Sequence, residues 1–142
     1  MSTTVNLVVL LKAGGLMHLG LVCAGMLMPG VVGLRANLAG LPQFIRRLFW
    51  VYYSFIGLCL IGFGLITFTQ ADSLASGSVL ARAVCSFLAA FWLLRLVAAT
   101  FVFDLTPYLT NHWRRLGYYA TNIVFTFLPF VYVVAAFKGG PS

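Results

Sequence analysis

The sequence predicts an all-α membrane protein, a four-transmembrane-helix antiparallel bundle with both termini on the outer side. Three observations carry that expectation. Of 142 residues, 62% are hydrophobic and only 8% are charged; the apolar residues gather in four runs; and most basic residues fall between the runs. A soluble domain carries roughly 25% charged residues, and one of this length cannot bury so much apolar surface. The length suits a single integral membrane domain over 1–142, without an attached soluble catalytic domain. Nine Lys and Arg against two acids give a net charge of +7. In a soluble chain that balance points to nucleic acid, but between apolar runs it orients helices in a bilayer, so no nucleic-acid partner is expected.

The first run, Val5 to Leu34, exceeds the ~20 residues that cross the hydrocarbon. Its first turns are therefore expected at the outer interface, where Lys12 can snorkel to water. It has no basic residue before Lys12 and no small-x-small site where it ends in Met28, Pro29 and Gly30, so it reads as a retained span and not a signal peptide. The second run is Leu48 to Ala71, the third Val79 to Phe103, and the fourth Leu116 to Phe137. The first link carries Arg35, Arg46 and Arg47, the second (72–78) carries no basic residue, and the third carries Arg114 and Arg115. Lys and Arg concentrate on the cytoplasmic side. The first and third links are accordingly expected inside, against the scattered Lys12, Arg82 and Lys138 outside. Trp50, Tyr52 and Tyr53 follow one arginine pair, and Trp113, Tyr118 and Tyr119 flank the other, as an aromatic belt at a single interface requires.

The strings RRLFWVYY from Arg46 and RRLGYY from Arg114 resemble each other, each opening an even-numbered span after a proline. A parallel two-helix repeat would produce such a pair, and so would basic and aromatic interface signals arising independently. Small residues mark packing faces in lipid, because no hydrophobic force acts between helices there. Gly14, His18, Leu21, Gly25 and Met28 recur at helical spacing and predict the inward stripe of the first span. Short links predict that consecutive spans are neighbours.

Arg95 is the outstanding candidate, an arginine ~12 Å inside the third run. Such residues usually face a bundle or a wet cavity. By the same count Tyr53, Ser54, Tyr119 and Asn122 reach similar or shallower levels, so a ligand pocket of Arg95, Asn122, Tyr53, Ser54 and Tyr119 is expected at the inner leaflet. Arg46, Arg47, Arg114 and Arg115 are expected to hold anionic lipid headgroups. The competing account of Arg95 is a side chain that snorkels, caps carbonyls or pairs with Asp104. Asp104 and His112 in the third link could act as acid and base, but a link with Pro107 in which Asp104 ends one helix and Asn111 starts the next reads more simply as a turn. His18 is a possible metal or haem ligand; the other histidine, His112, lies at the opposite side, so a buried histidine bonded across helices is the plainer expectation. Cys23, Cys59 and Cys85 have no Cys-x-x-Cys spacing.

These features predict a small inner-membrane protein of bacterial type, non-catalytic, with no metal or catalytic residues assigned. It would bind an amphiphilic lipid or quinone-like ligand at the inner leaflet, or serve as a membrane subunit of a larger complex. The alternatives are a membrane enzyme or haem/redox subunit using His18 or the Asp104/His112 link, and a small transporter acting as a homo-oligomer.

Overall fold

A computed structural model describes residues 2–138. It is all-helical, with no strand among the described residues. Four helices are long and apolar enough to cross a membrane: α1 (Ser2–Val31), α3 (Gln43–Thr69), α5 (Val79–Phe101) and α6 (His112–Lys138). Two short helices, α2 (Leu34–Ala39) and α4 (Ala71–Ala75), lie in the links, and a 3-10 turn covers Thr106–Tyr108. By length and composition the chain is membrane-integral.

The helix bounds differ from the apolar runs where backbone chemistry intervenes. The first helix stops at Val31 because Gly33 adopts a left-handed φ of 59°, a conformation open to glycine at little steric cost. The Asn37 side-chain amide bridges the break by donating to the Val32 carbonyl at 2.9 Å. Helix α3 begins five residues before the apolar run, directly after Pro42, so Arg46 and Arg47 belong to its first turns. A basic pair there opposes the helix dipole; its position follows the membrane surface and not the helix. Helix α5 starts where the run does, with the Ser78 hydroxyl accepting from the Ala81 N–H at 3.2 Å as a helix N-cap. Helix α6 starts at His112, just after Asn111, four residues before its apolar run.

The packing order also departs from simple succession. The most extensive pairings are α1 with α3 and α5 with α6, and α1 against α6 joins the two pairs. The sequential neighbours α3 and α5 meet mainly through side chains, with the Phe63 ring 6.2 Å from Phe87 and 5.3 Å from Phe91. Helix α4 buries Ala71, Leu74 and Ala75 and packs on α1 and α5. The second link thereby contributes Leu74 and Ala75 to the core, while Asp72, Ser73 and Ser76 stay exposed. Leu7 and Leu11 of α1 are buried with it, so one face of the first turns of α1 packs on the core.

Burial is one-sided along the bundle. Near α4 the core closes around Leu11, Leu88, Trp92, Leu128 and Tyr132. At the other end, which carries Arg46, Arg47, Arg114 and Arg115, no residue of α3 before Gly64, of α5 after Trp92 or of α6 before Phe125 is buried among the described residues. The helices are thus tight at the α4 end and loose at the basic end.

Candidate functional site

Two places in this frame carry polar chemistry inside the spans. One is the flank of α5 at the basic end, where Arg95 stands six residues, about 9 Å, from the end of the helix. Its side chain is exposed. The guanidinium lies 5.5 Å from the ring centroid of Phe103 and 5.4 Å from that of Phe125, within cation–π range. Phe103 is beyond the end of α5, so the side chain reaches toward the basic boundary, in the manner of a snorkelling arginine. Arg95 makes no hydrogen bond or ion pair among the described residues. Asp104 is not its partner: one carboxylate oxygen accepts from the Thr106 N–H at 3.0 Å. Hydrogen bonds from the Thr106 side chain and backbone hold Asp104 below the usual carboxylate range.

The other residues of the expected pocket are distributed. Asn122 is half-buried on α6, one turn before Phe125, the ring that Arg95 covers. Tyr53 is half-buried, and its hydroxyl donates across helices to the Gly25 carbonyl of α1. This contact has a specific cause. The Gly25 carbonyl would normally accept from the N–H of residue 29, but residue 29 is Pro29, which has none. In lipid no water can satisfy that carbonyl, and Tyr53 does so from α3. The Ser54 hydroxyl donates to the Trp50 carbonyl of its own helix at 2.9 Å. Tyr119 is exposed, its ring 5.7 Å from that of Tyr118. No hydrogen bond or ring contact joins Tyr53, Ser54 or Tyr119 to Arg95 among the described residues.

Tyr53→Phe is therefore expected to lower stability by about 0.6 to 1.7 kcal/mol, the scale of interhelical hydrogen bonds in membranes. It should leave any ligand of Arg95 in place. Thermal unfolding in detergent together with lipid retention checks both parts, and loss of retention without loss of stability would return Tyr53 to the ligand site.

Of the four headgroup candidates, Arg47 and Arg115 are exposed and Arg46 and Arg114 half-buried at the basic end. Arg114 donates to the Tyr108 carbonyl at 3.4 Å and to the Thr110 hydroxyl at 3.3 Å, which ties α6 to the 3-10 turn. In the same link Asp104 and His112 are both exposed and form no ion pair among the described residues. The link has the geometry of a turn.

The second place is a buried layer to which each of the four long helices contributes: His18, Thr67, Trp92 and Tyr132, all at most 1% exposed. The Thr67 and Tyr132 hydroxyls are 2.6 Å apart. His18 Nδ1 is 2.7 Å from the Gly14 carbonyl, which can only accept, so Nδ1 carries the proton and the bond is within α1, not across helices. That leaves Nε2 as an acceptor. Neither His18 Nε2 nor the Trp92 indole N–H has a hydrogen-bond partner among the described residues. The His18 and Trp92 rings meet edge to face at 5.1 Å, and Tyr132 closes the other side with its ring 6.3 Å away. A protonated Nδ1 bonded to a carbonyl is the tautomer that would leave Nε2 free to ligate, but His18 is fully buried and enclosed by packed rings, with no open face for a haem macrocycle. No cluster of three or more His, Cys, Asp or Glu suited to a metal occurs among the described residues. Cys85 is buried, while Cys23 and Cys59 are exposed and free.

Of this layer the sequence singled out His18, but not Trp92 and Tyr132. As aromatic residues in apolar runs they carry no signal distinguishing them from lipid-facing rings. Comparison with protein-family models, with curated proteins and with solved structures finds no match.

Proposed function

We propose that the chain is a non-catalytic four-span protein of a bacterial cytoplasmic membrane that holds the anionic or carbonyl-bearing headgroup of an amphiphile at the inner leaflet, alone or as the membrane subunit of a larger complex. The observation that carries this reading is Arg95. Placing an arginine within a span costs ~2.5 to 3.5 kcal/mol on insertion scales. Here the guanidinium has no carboxylate and no hydrogen-bond acceptor among the described residues, and it stands on an exposed flank where the bundle is loose. A membrane-borne oxygen acceptor is the partner that such a cation can reach, and Asn122 stands one turn of α6 from the Phe125 ring that the guanidinium covers.

The arrangement proposed for the spans is antiparallel, with both termini outside. It is supported by the contacts of α1 with α3. A Cβ at Gly15 would meet Phe68, whereas Gly25 meets Tyr53, so the order along the second helix runs opposite to that along the first. Orientation rests on Arg35, Arg46, Arg47, Arg114 and Arg115 at one end. Each basic residue near an anionic surface contributes about 1 kcal/mol, enough together to fix that end at the inner face.

Native mass spectrometry of the protein from mild detergent tests the reading. A phosphate- or carbonyl-headed lipid is expected to remain bound. Arg95→Leu should weaken retention about tenfold, near 1.4 kcal/mol, with the helical content unchanged. Equal retention by Arg95→Leu and the parent chain sinks the proposal.

A further inference from the structure

Two fully buried side chains of the inner layer, His18 of α1 and Trp92 of α5, each keep one polar atom without a partner among the described residues, His18 Nε2 and the Trp92 indole nitrogen. The two atoms are complementary. With the Nδ1 proton given to the Gly14 carbonyl, Nε2 is an acceptor that needs a donor, and the indole N–H is a donor that needs an acceptor. Their rings are neighbours, 5.1 Å between centroids and nearly perpendicular at 77°. Buried polar groups in native proteins are almost always hydrogen-bonded, to protein or to ordered water. Lipid tails offer neither donor nor acceptor, so a partner for these two has to be held inside the bundle.

A third polar group has lost its ordinary partner beside them. The Phe125 carbonyl of α6 would accept from the N–H of residue 129, but residue 129 is Pro129, which has none. Both residues are buried, which puts the open position on the core side of α6, and the Phe125 ring lies 5.8 Å from that of Trp92. One donor and two acceptors, from three helices, are the complement of a molecule that accepts once and donates twice. We propose that the layer holds a single buried water, which accepts from the Trp92 N–H and donates to His18 Nε2 and to the Phe125 carbonyl. Buried waters typically make about three hydrogen bonds to groups of this kind. The rings of Trp92 and Tyr132 close around His18, so the site takes one small protic molecule and excludes larger ones. Its effect is to join α1 to the α5–α6 pair by directed bonds, where lipid supplies no hydrophobic force to do so. The site is independent of Arg95 and of any lipid bound there.

Nuclear magnetic resonance of the protein in phosphatidylcholine nanodiscs, with tryptophan and histidine labelled with nitrogen-15, tests the site. The Trp92 indole proton, identified by its absence from Trp92→Phe, is expected to show a cross-peak to water. His18→Phe keeps a ring against Trp92 and removes the acceptor, so the cross-peak should be lost. Thr67→Val combined with Tyr132→Phe removes the two neighbouring hydroxyl protons that could relay such a signal, and there it should persist. Pro129→Ala returns a helical donor to the Phe125 carbonyl and should weaken the cross-peak; an unchanged one overturns that third bond. Where a variant fails to fold, the parent chain decides by itself: polarisation from the same water should reach the unprotonated Nε2 of His18, with His112→Gln removing the other histidine signal. A parent chain in which water reaches neither the Trp92 proton nor His18 Nε2 overturns the proposal. So does a cross-peak that survives in folded His18→Phe, or one that disappears with the two hydroxyls.

Discussion

Valine at Gly15 or Gly64 is expected to separate α1 from α3 and to lower stability by about 1 to 3 kcal/mol or more, the range for overpacking a well-filled contact. A Cβ at Gly64 would stand 2.7 Å from His18 Cβ and 3.1 Å from the Gly15 carbonyl oxygen. A Cβ at Gly15 would stand 2.8 Å from Phe68 Cβ and 2.9 Å from both the Gly64 carbonyl oxygen and the Phe68 nitrogen. Each atom in the way is backbone or the first atom of a side chain, so no rotamer change relieves the clash and the helices must part. Their separation disturbs His18 and, with it, the buried layer. Gly20, Gly57 and Gly62 are the controls, since a Cβ at any of them meets nothing within 4 Å. Alanine there should be neutral, or stabilising by about 0.5 to 1 kcal/mol through helix propensity. Thermal unfolding in one detergent ranks the five positions. A Gly64→Val protein as stable as Gly57→Ala would show that α1 and α3 are not in close contact.

Trp92→Ala is expected to be the most damaging truncation in the bundle. The side chain is 1% exposed and its ring meets His18 at 5.1 Å, Phe91 at 5.3 Å and Phe125 at 5.8 Å, so one residue joins α1, α5 and α6. In a water-soluble core such a change costs about 3 to 5 kcal/mol. Separated helices here remain in hydrocarbon, so the transfer part largely drops out and the lost packing remains, about 2 kcal/mol or more. Trp92→Phe keeps most of the ring contact and removes an N–H that has no partner among the described residues, so its loss should be much smaller. Equal destabilisation by Ala and Phe would mean that the indole N–H, and not the ring, holds this point together.

The membrane character and the number of spans were legible from composition and spacing, and so was the inward stripe of α1: Gly14, His18 and Leu21 are buried and Gly25 and Met28 half-buried. Arg95 was legible because a charge in an apolar run stands out. Its companions were not, since depth counting ranks residues along a helix but not around the bundle. Tyr53 lies at a suitable depth, yet its hydroxyl serves the carbonyl that Pro29 leaves open on α1. Gly15, adjacent to the recognised stripe, leaves no room for a Cβ against α3, and only the position of the facing helix identifies it.

What the sequence by itself determined is solvent matching: which segments enter hydrocarbon, which residues punctuate them, and where the basic residues gather. These are local properties, set by the transfer energies of runs of side chains. The tertiary structure alone decided the pairing of α1 with α3 and of α5 with α6, the layer of His18, Thr67, Trp92 and Tyr132, and the exposed flank on which Arg95 stands. Lipid is as apolar as the helices it surrounds, so hydrophobicity cannot choose among partners. That choice falls to close glycine contacts, to ring packing, and to hydrogen bonds between residues far apart in the chain.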